Sequence, residues 1–330
     1  MADIVVTDAG GGLPAILHGC KLDVEFGDSG KNDLRLTVDA ASGQRAAHGA
    51  LVYVEGTEYG GVVDGSTTDS DAGTITYSGR TWHGMLAGKV VMPPTGSTHR
   101  HASGDANSCL LELVGALGLS GVMTVPAEPS GIEVDYDYRR FCDGYSGARG
   151  MLASAGARLA VSYDSVLGMA VLSAVPARSW PAGPDSNSAS VRISRVHRCT
   201  NHLVSLGEGT GTSRVVRHDY ADAAGNVSQV QSLFGVDEIA ETYDYSNADA
   251  ERLAESAPRR LRDMQDRGSL KATLDGGEGY AVGDTVTATD VATGDEVTIA
   301  VGTIIAVVKD DSVTVEYRAG ESGAPSEEPA

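Results

Sequence analysis

KLDVEFGDSGKNDLRLTV, Lys21–Val38, decides how this chain folds. Leu22, Val24 and Phe26 alternate with polar residues; the turn at Asp28-Ser29-Gly30 follows; Leu34, Leu36 and Val38 then repeat the alternation. A period of two places each apolar set on one face of a strand, whereas a helix would scatter it. Outward from this pair, Val52 and Val54, Val62 and Val63, and Ile75 and Tyr77 extend the series. Glycine-rich breaks recur about every eight to twelve residues, the spacing of a sandwich or barrel. Pro93-Pro94-Thr95-Gly96 closes the block, which predicts a first β domain over residues 1–95.

The next block, residues 96–190, predicts an α+β domain. Asp105 can cap a helix whose apolar positions Leu110, Leu113, Val114 and Leu117 form one stripe, with Gly118 at the stop. Ile132, Val134, Tyr136 and Tyr138 alternate as a strand, and Met151, Leu152, Ala155 and Leu159 predict a short helix. Val161–Tyr163 and Val166–Val175 predict a hairpin over Asp164-Ser165, and Pro176–Ser190 a loop or boundary. Residues 191–320 return to strands: Val191–Val196, His202–Leu206, Arg214–Tyr220, then a final segment from Leu270 to Tyr317. Its last strands, Val297–Val308 and Ser312–Tyr317, are joined at Lys309-Asp310-Asp311. A helix is expected at about 247–267, with Ser246 and Asp249 as a capping box, Leu253, Ala257, Leu261 and Met264 as its apolar face, and Pro258 kinking or splitting it. Residues 321–330, rich in Glu, Ser, Pro and Gly, are expected to be a disordered tail.

Composition narrows the function classes. The 330 residues carry 25 Lys and Arg against 45 Asp and Glu, a net charge of −20. Sequence-independent nucleic-acid binding needs cations that displace phosphate counterions, so this balance argues against it. The densest basic run, Arg259-Arg260-Leu261-Arg262, sits beside Asp263 and Asp266 and is expected to be a solvated helix face. The hydrophobic fraction of 41% supports packed cores rather than disorder. No apolar run approaches the roughly 20 residues of a membrane-spanning helix. The start, Met1-Ala2-Asp3-Ile4, lacks a secretory pattern, so synthesis in a cytosol is expected. Cys20, Cys109, Cys142 and Cys199 are too far apart for a zinc-ribbon spacing and are expected to be buried, reduced thiols.

Every local candidate for chemistry has a plainer explanation. His99-Arg100-His101 has no carboxylate partner nearby in sequence and is expected in a surface loop. Asp64–Gly73 lacks the order and closing Glu of an EF-hand loop, which leaves an acidic turn. Leu206-Gly207-Glu208-Gly209-Thr210-Gly211 lacks the Lys-Ser/Thr of a phosphate loop, which leaves a hairpin turn. Asp219 and Asp222, before Gly225-Asn226, fit a turn after a strand. Cys142 and His202 are the nearest thing to a nucleophile–base pair, with nothing local in support. No catalytic, metal-binding or cofactor-binding residue is assigned, and no cofactor is expected.

Several segments together resemble the tail-tip, or baseplate, hub proteins of long-tailed bacteriophages and prophages, the N-terminal hub region of the tail-associated lysins. They are Tyr53–Asp64, Ile75–Leu86 with Pro93-Pro94 beyond, Ser103–Asn107, Thr200–Gly209, Arg214–Ala221 with Gly225-Asn226, Gly235–Ile239 and Tyr243–Asn247. Their order and spacing carry the resemblance over roughly residues 20–320. It implies a mainly β fold in which two tube-type β-barrel domains flank an α+β domain. It also implies a homotrimer at the virion tail tip, a pseudo-sixfold ring that closes the tail tube and forms the channel for DNA ejection. Expected partners are a distal tail protein or tail tube ring, a tape-measure protein, and tail fibre or central tip proteins, with DNA passing through the lumen without specific binding. Trp82 and Arg80 are candidates for anchoring the first barrel. The family often carries a C-terminal peptidoglycan hydrolase; the chain ends soon after its last expected strand, so a structural protein is expected rather than an enzyme. A tail-associated cell-wall hydrolase, endopeptidase or glycan hydrolase, is the alternative. A carbohydrate-binding β-module is a third reading, disfavoured by an aromatic content of 5%.

Overall fold

The computed structural model describes residues 2–9, 11–28, 30–181, 199–246, 248–265, 273–274, 279–289, 296–309 and 312–320. They form two compact units, the larger built from residues 2–181 and 273–320 and the smaller from residues 199–265. The larger unit opens with β1 (Ile4–Val6), β2 (Ala15–Leu17), β3 (Lys21–Gly27), β4 (Asp33–Asp39), β5 (Leu51–Val54), β6 (Gly60–Asp69), β7 (Thr74–Thr81) and α1 (Trp82–Ala87). It continues with β8 (His101–Asp105), α2 (Ala106–Ala116), β9 (Met123–Thr124), β10 (Glu133–Asp137), α3 (Gly144–Ser154), β11 (Ala157–Asp164), β12 (Met169–Pro176) and β13 (Ser179–Trp180). The smaller unit holds β14 (His202–Leu206), β15 (Val216–Ala221), β16 (Val227–Ser228), β17 (Ala240–Asp244) and α4 (Ala250–Gln265). The chain then returns to the larger unit with β18 (Thr273–Leu274), β19 (Thr285–Thr289), β20 (Glu296–Lys309) and β21 (Ser312–Ala319).

The alternation of Lys21–Val38 builds the main sheet as expected. β3 and β4 pair antiparallel with Leu22 opposite Leu36 and Val24 opposite Leu34. Leu22, Val24, Phe26, Leu34, Leu36 and Val38 are all buried in one core, each such side chain stabilising the fold by roughly 1.5–3 kcal/mol. The sheet has twelve strands; its main path runs β13-β19-β20-β3-β4-β7-β6-β5-β1-β2, with β21 beside β20 and β18 beside β21. The path does not close into a barrel among the described residues.

The main sheet also takes in strands from the end of the chain. β20 hydrogen-bonds along β3, with Ile304 opposite Phe26 and Val308 opposite Leu22, and Ile304, Ala306 and Val308 enter the same core. The close approach requires glycine: Gly27 has φ +127°, and a Cβ there would lie 2.0 Å from the Gly302 carbonyl. A register shift between Val301 and Thr303 places a bulge at that point.

The middle of the chain is α+β. Asp105 caps α2, its carboxylate accepting from the backbone N–H of Asn107 and Ser108. The second helix lies earlier than the apolar spacing predicts: Asp143 caps α3, and Gly156 at φ +66° ends it, so Leu159 falls on β11 instead. The hairpin of β11 and β12 forms close to where it is expected. α1 went unrecognised because six residues are too few for a helical period. In the smaller unit, Ala257, Leu261 and Met264 of α4 pack with Leu203 and Ala221, and Leu253 is buried as well. Pro258 lies inside an unbroken α4; the buried face outweighs the roughly 3 kcal/mol cost of an internal proline. The cap is Asp249, whose carboxylate accepts from Arg252 N–H at 2.9 Å, rather than Ser246. The expected strand Val191–Val196 and the tail 321–330 lie outside the described residues, as do Asn247 and Leu270 at the edges of their expected elements. Among the described residues no helix is long and apolar enough to cross a membrane.

Candidate functional site

α1 joins the main sheet to the middle block. Thr81 caps it, its hydroxyl accepting from Gly84 N–H at 3.1 Å and donating to the Asn32 carbonyl at 3.0 Å. Trp82 is then fully buried, its ring parallel to Tyr163 at 5.2 Å, while Tyr163 also meets Tyr53 at 3.9 Å. Trp82 is therefore a core anchor within the larger unit. Arg80 instead grips Asp64 across β6 and β7 through two hydrogen bonds of 2.7 and 2.8 Å. Both side chains are well exposed, and such a pair stabilises by about 0–1 kcal/mol.

Behind α1 lies a polar string that sequence reasoning missed. His83 stacks on Phe26 at 4.2 Å, meets the edge of Tyr145 at 5.2 Å, and holds Nε2 3.7 Å from Glu58 Oε2. Burial pushes the Glu58 carboxyl up to about 7, with the Arg158 charge opposing. Burial, helped by the Arg149 charge, pushes the His83 imidazole down to about 3. Below neutral pH, down to about pH 4, the pair therefore sits largely uncharged. Arg149 is ion-paired with Asp28 and lies over the Tyr145 ring at 5.4 Å. Arg158 Nε lies 2.8 Å from Asp284 Oδ1, as an ion pair rather than an aligned hydrogen bond. Asp284 is fully buried and also accepts from Arg178 N–H at 2.9 Å and Trp180 Nε1–H at 3.3 Å, tying β13 to the turn before β19. These groups come from β3, the β5–β6 turn, α1, α3, β11 and the turn before β19, and no local pattern links them.

The sequence candidates fall as follows. His101 does have carboxylate partners: Nδ1 is 2.9 Å from Asp137 Oδ1 and Nε2 is 3.7 Å from Asp135 Oδ1. They are supplied by the pairing of β8 with β10, which sequence proximity could not show. His99 Nδ1 lies 3.3 Å from the Tyr138 carbonyl. Asp69 organises its turn by accepting from Asp71 and Ala72 N–H. Of Leu206–Gly211, Leu206 ends β14 and residues 207–211 lie in the connection between antiparallel β14 and β15. Asp222 holds the turn to Asn226, but Asp219 belongs to strand β15, buried and gripped by Arg217 through two 2.8 Å bonds. Cys142 is buried in the larger unit, its thiol pushed up by burial and by Asp143, while His202 belongs to the smaller unit and has partners of its own. The basic run is a helix face with Leu261 turned inward and Arg260 over the Tyr243 ring at 4.5 Å.

Those partners of His202 form a second cluster that the sequence did not reveal. His202 Nδ1 lies 2.6 Å from Glu238 Oε1, and its Nε2 lies 2.8 Å from His218 Nδ1. Tyr220 stacks on His202 at 4.4 Å. Among the described residues no three His, Cys, Asp or Glu side chains converge as a complete metal-ligand set.

Solved structures of phage and prophage tail proteins match along nearly the whole chain. The tail protein from Neisseria meningitidis matches with a TM-score of 0.47 at 14% identity, over 98% of this chain and 97% of that one. The prophage tail protein gp18 from Listeria monocytogenes matches with a TM-score of 0.49 at 10% identity, over 98% and 96%. The 43 kDa tail protein of prophage MuSo2 from Shewanella oneidensis matches with a TM-score of 0.49 at 14% identity, over 98% of each chain. No protein-family model matches the chain, and no curated protein matches it in sequence.

Proposed function

We propose that this chain is a structural hub protein of a phage-like tail tip or baseplate. The observation that carries this reading is the ordered set of hub-like segments, most of which lie on paired elements. Tyr53–Asp64 spans β5 and β6, Ile75–Leu86 spans β7 and α1, and Ser103–Asn107 spans β8 and the start of α2. Thr200–Gly209 covers β14, and Arg214–Ala221 covers β15. In this reading each chain supplies two tube-type β units. One rests on the sheet of β3, β4 and β20, and the other on β14, β15 and β17 with α4. Three chains then make a pseudo-sixfold ring that continues and closes the tail tube. Its partners are a tube ring or distal tail protein, the tape-measure protein, and fibre or central tip proteins. A net charge of −20 per chain gives the ring a physical use, because carboxylates facing a lumen repel phosphate and let DNA slide without sticking. Nothing in the buried Glu58–His83 string favours hydrolysis over this structural role.

Native mass spectrometry combined with electron microscopy tests the proposal. The expected species is three 34.0 kDa chains, about 102 kDa, seen as a ring with a central, acidic hole. A different ring order, or a basic lumen, would refute the hub. So would clear lysis of bacterial cell walls by the pure chain in a zymogram.

A further inference from the structure

We propose that His202 and His218 form a two-imidazole site for a divalent transition-metal ion of the zinc, nickel or copper kind, oriented by Glu238. The inference rests on the smaller unit alone and is independent of the hub reading. β14 and β15 pair with His202 opposite Tyr220 and Val204 opposite His218. The two histidines are thus diagonal neighbours on one sheet face. Leu203 and Ala221, which alternate with them, face α4 on the other side.

The hydrogen bonds set the nitrogens for ligation. Glu238 Oε1, 2.6 Å away, accepts from His202 Nδ1–H, which leaves Nε2 of His202 with its lone pair free to accept from His218 at 2.8 Å. A carboxylate on the distal nitrogen is how metal-bound histidines are held in tautomer and orientation. The Tyr220 ring, stacked at 4.4 Å, limits rotation of the His202 imidazole. Glu238 is thus a positioning residue and not itself a ligand, which is why no three-ligand set converges here. Two nitrogens bound tetrahedrally at roughly 2.0–2.1 Å from an ion stand about 3.3 Å apart. An opening of about 0.5 Å by the exposed His218 ring therefore admits the ion. The His218 proton moves from Nδ1 to its own Nε2, so both rings stay neutral, and water fills the remaining positions. Imidazole donors favour zinc, nickel and copper over magnesium or calcium.

The test titrates the purified full chain with nickel, zinc or calcium chloride by calorimetry, and records the electron paramagnetic resonance spectrum of the chain with one equivalent of copper. Wild type should bind one transition-metal ion at this site, with nitrogen couplings from two imidazoles in the copper spectrum. His218→Ala, at an exposed position where folding is not at risk, should weaken binding at least tenfold and remove one nitrogen coupling. Glu238→Gln should weaken it about 10–100-fold, as loss of an outer-shell partner does. His101→Ala, which alters the separate histidine between Asp135 and Asp137, should leave it unchanged. Binding unaffected by His218→Ala, or equal binding of calcium, would mean adventitious ions only and would overturn the site.

Discussion

Glu58 and His83 pull the pH dependence of folding in opposite directions, and mutation can separate them. Glu58 has its carboxyl raised from 4.5 to about 7. Between those values the folded chain holds a proton that the unfolded chain has lost, so this contribution is fully present below pH 4.5 and is lost as pH rises through 7. His83 is lowered from 6.5 to about 3. The unfolded chain there holds the extra proton, so its contribution is present above pH 6.5 and is lost as pH falls toward 3. Each amounts to about 1.36 kcal/mol per pH unit. From pH 4.5 to 6.5 the two slopes cancel, leaving this pair almost silent in the wild type. Glu58→Gln should expose the His83 slope, costing about 3 kcal/mol on going from pH 6.5 down to 4.5 relative to wild type. His83→Phe, which keeps the stack on Phe26, should expose the Glu58 slope, costing a similar amount on going from pH 4.5 up to 6.5. The Glu58 side chain keeps 23% of its exposure, so its figure is an upper one. Urea unfolding at several pH values reads these slopes, and comparing variants cancels every other titrating group. Two single variants running parallel to wild type would refute the assignment of both shifts to burial. A double variant that restores the wild-type slope would support it.

Two further perturbations probe the packing. Gly84→Ala would place a Cβ 2.1 Å from the Asn32 carbonyl, the group that accepts from both N–H and hydroxyl of Thr81; thermal unfolding should show a loss of about 1–3 kcal/mol, and an unchanged midpoint would mean α1 can shift. Leu261→Ala empties a fully buried position under α4; a loss of about 2–5 kcal/mol is expected, read as faster amide exchange in β14 and β15, with the β3–β4 amides as an internal control.

The alternation in Lys21–Val38, the stripe of α2 with its Asp105 cap, and the apolar face of α4 are properties of residues close in sequence. They were legible because period and capping depend on neighbours. The sequence could also place the β11–β12 hairpin, since it closes locally, although its turn is residues 165–168 and so lies past the expected Asp164-Ser165. It could not show that β20 would pair with β3. Ile304 and Phe26 lie far apart along the chain, and many apolar strands would have matched the Leu22–Phe26 face equally well. The same limit hid the carboxylates beside His101, the Glu58–His83 string and the His202–His218–Glu238 cluster. Isolated polar residues carry no period, and their chemistry appears only when strand register brings them within a few ångströms of one another. Even the Pro258 kink failed for this reason. The cost of a proline is a local quantity, and the packing of Leu253, Ala257 and Leu261 that overrides it belongs to the folded unit.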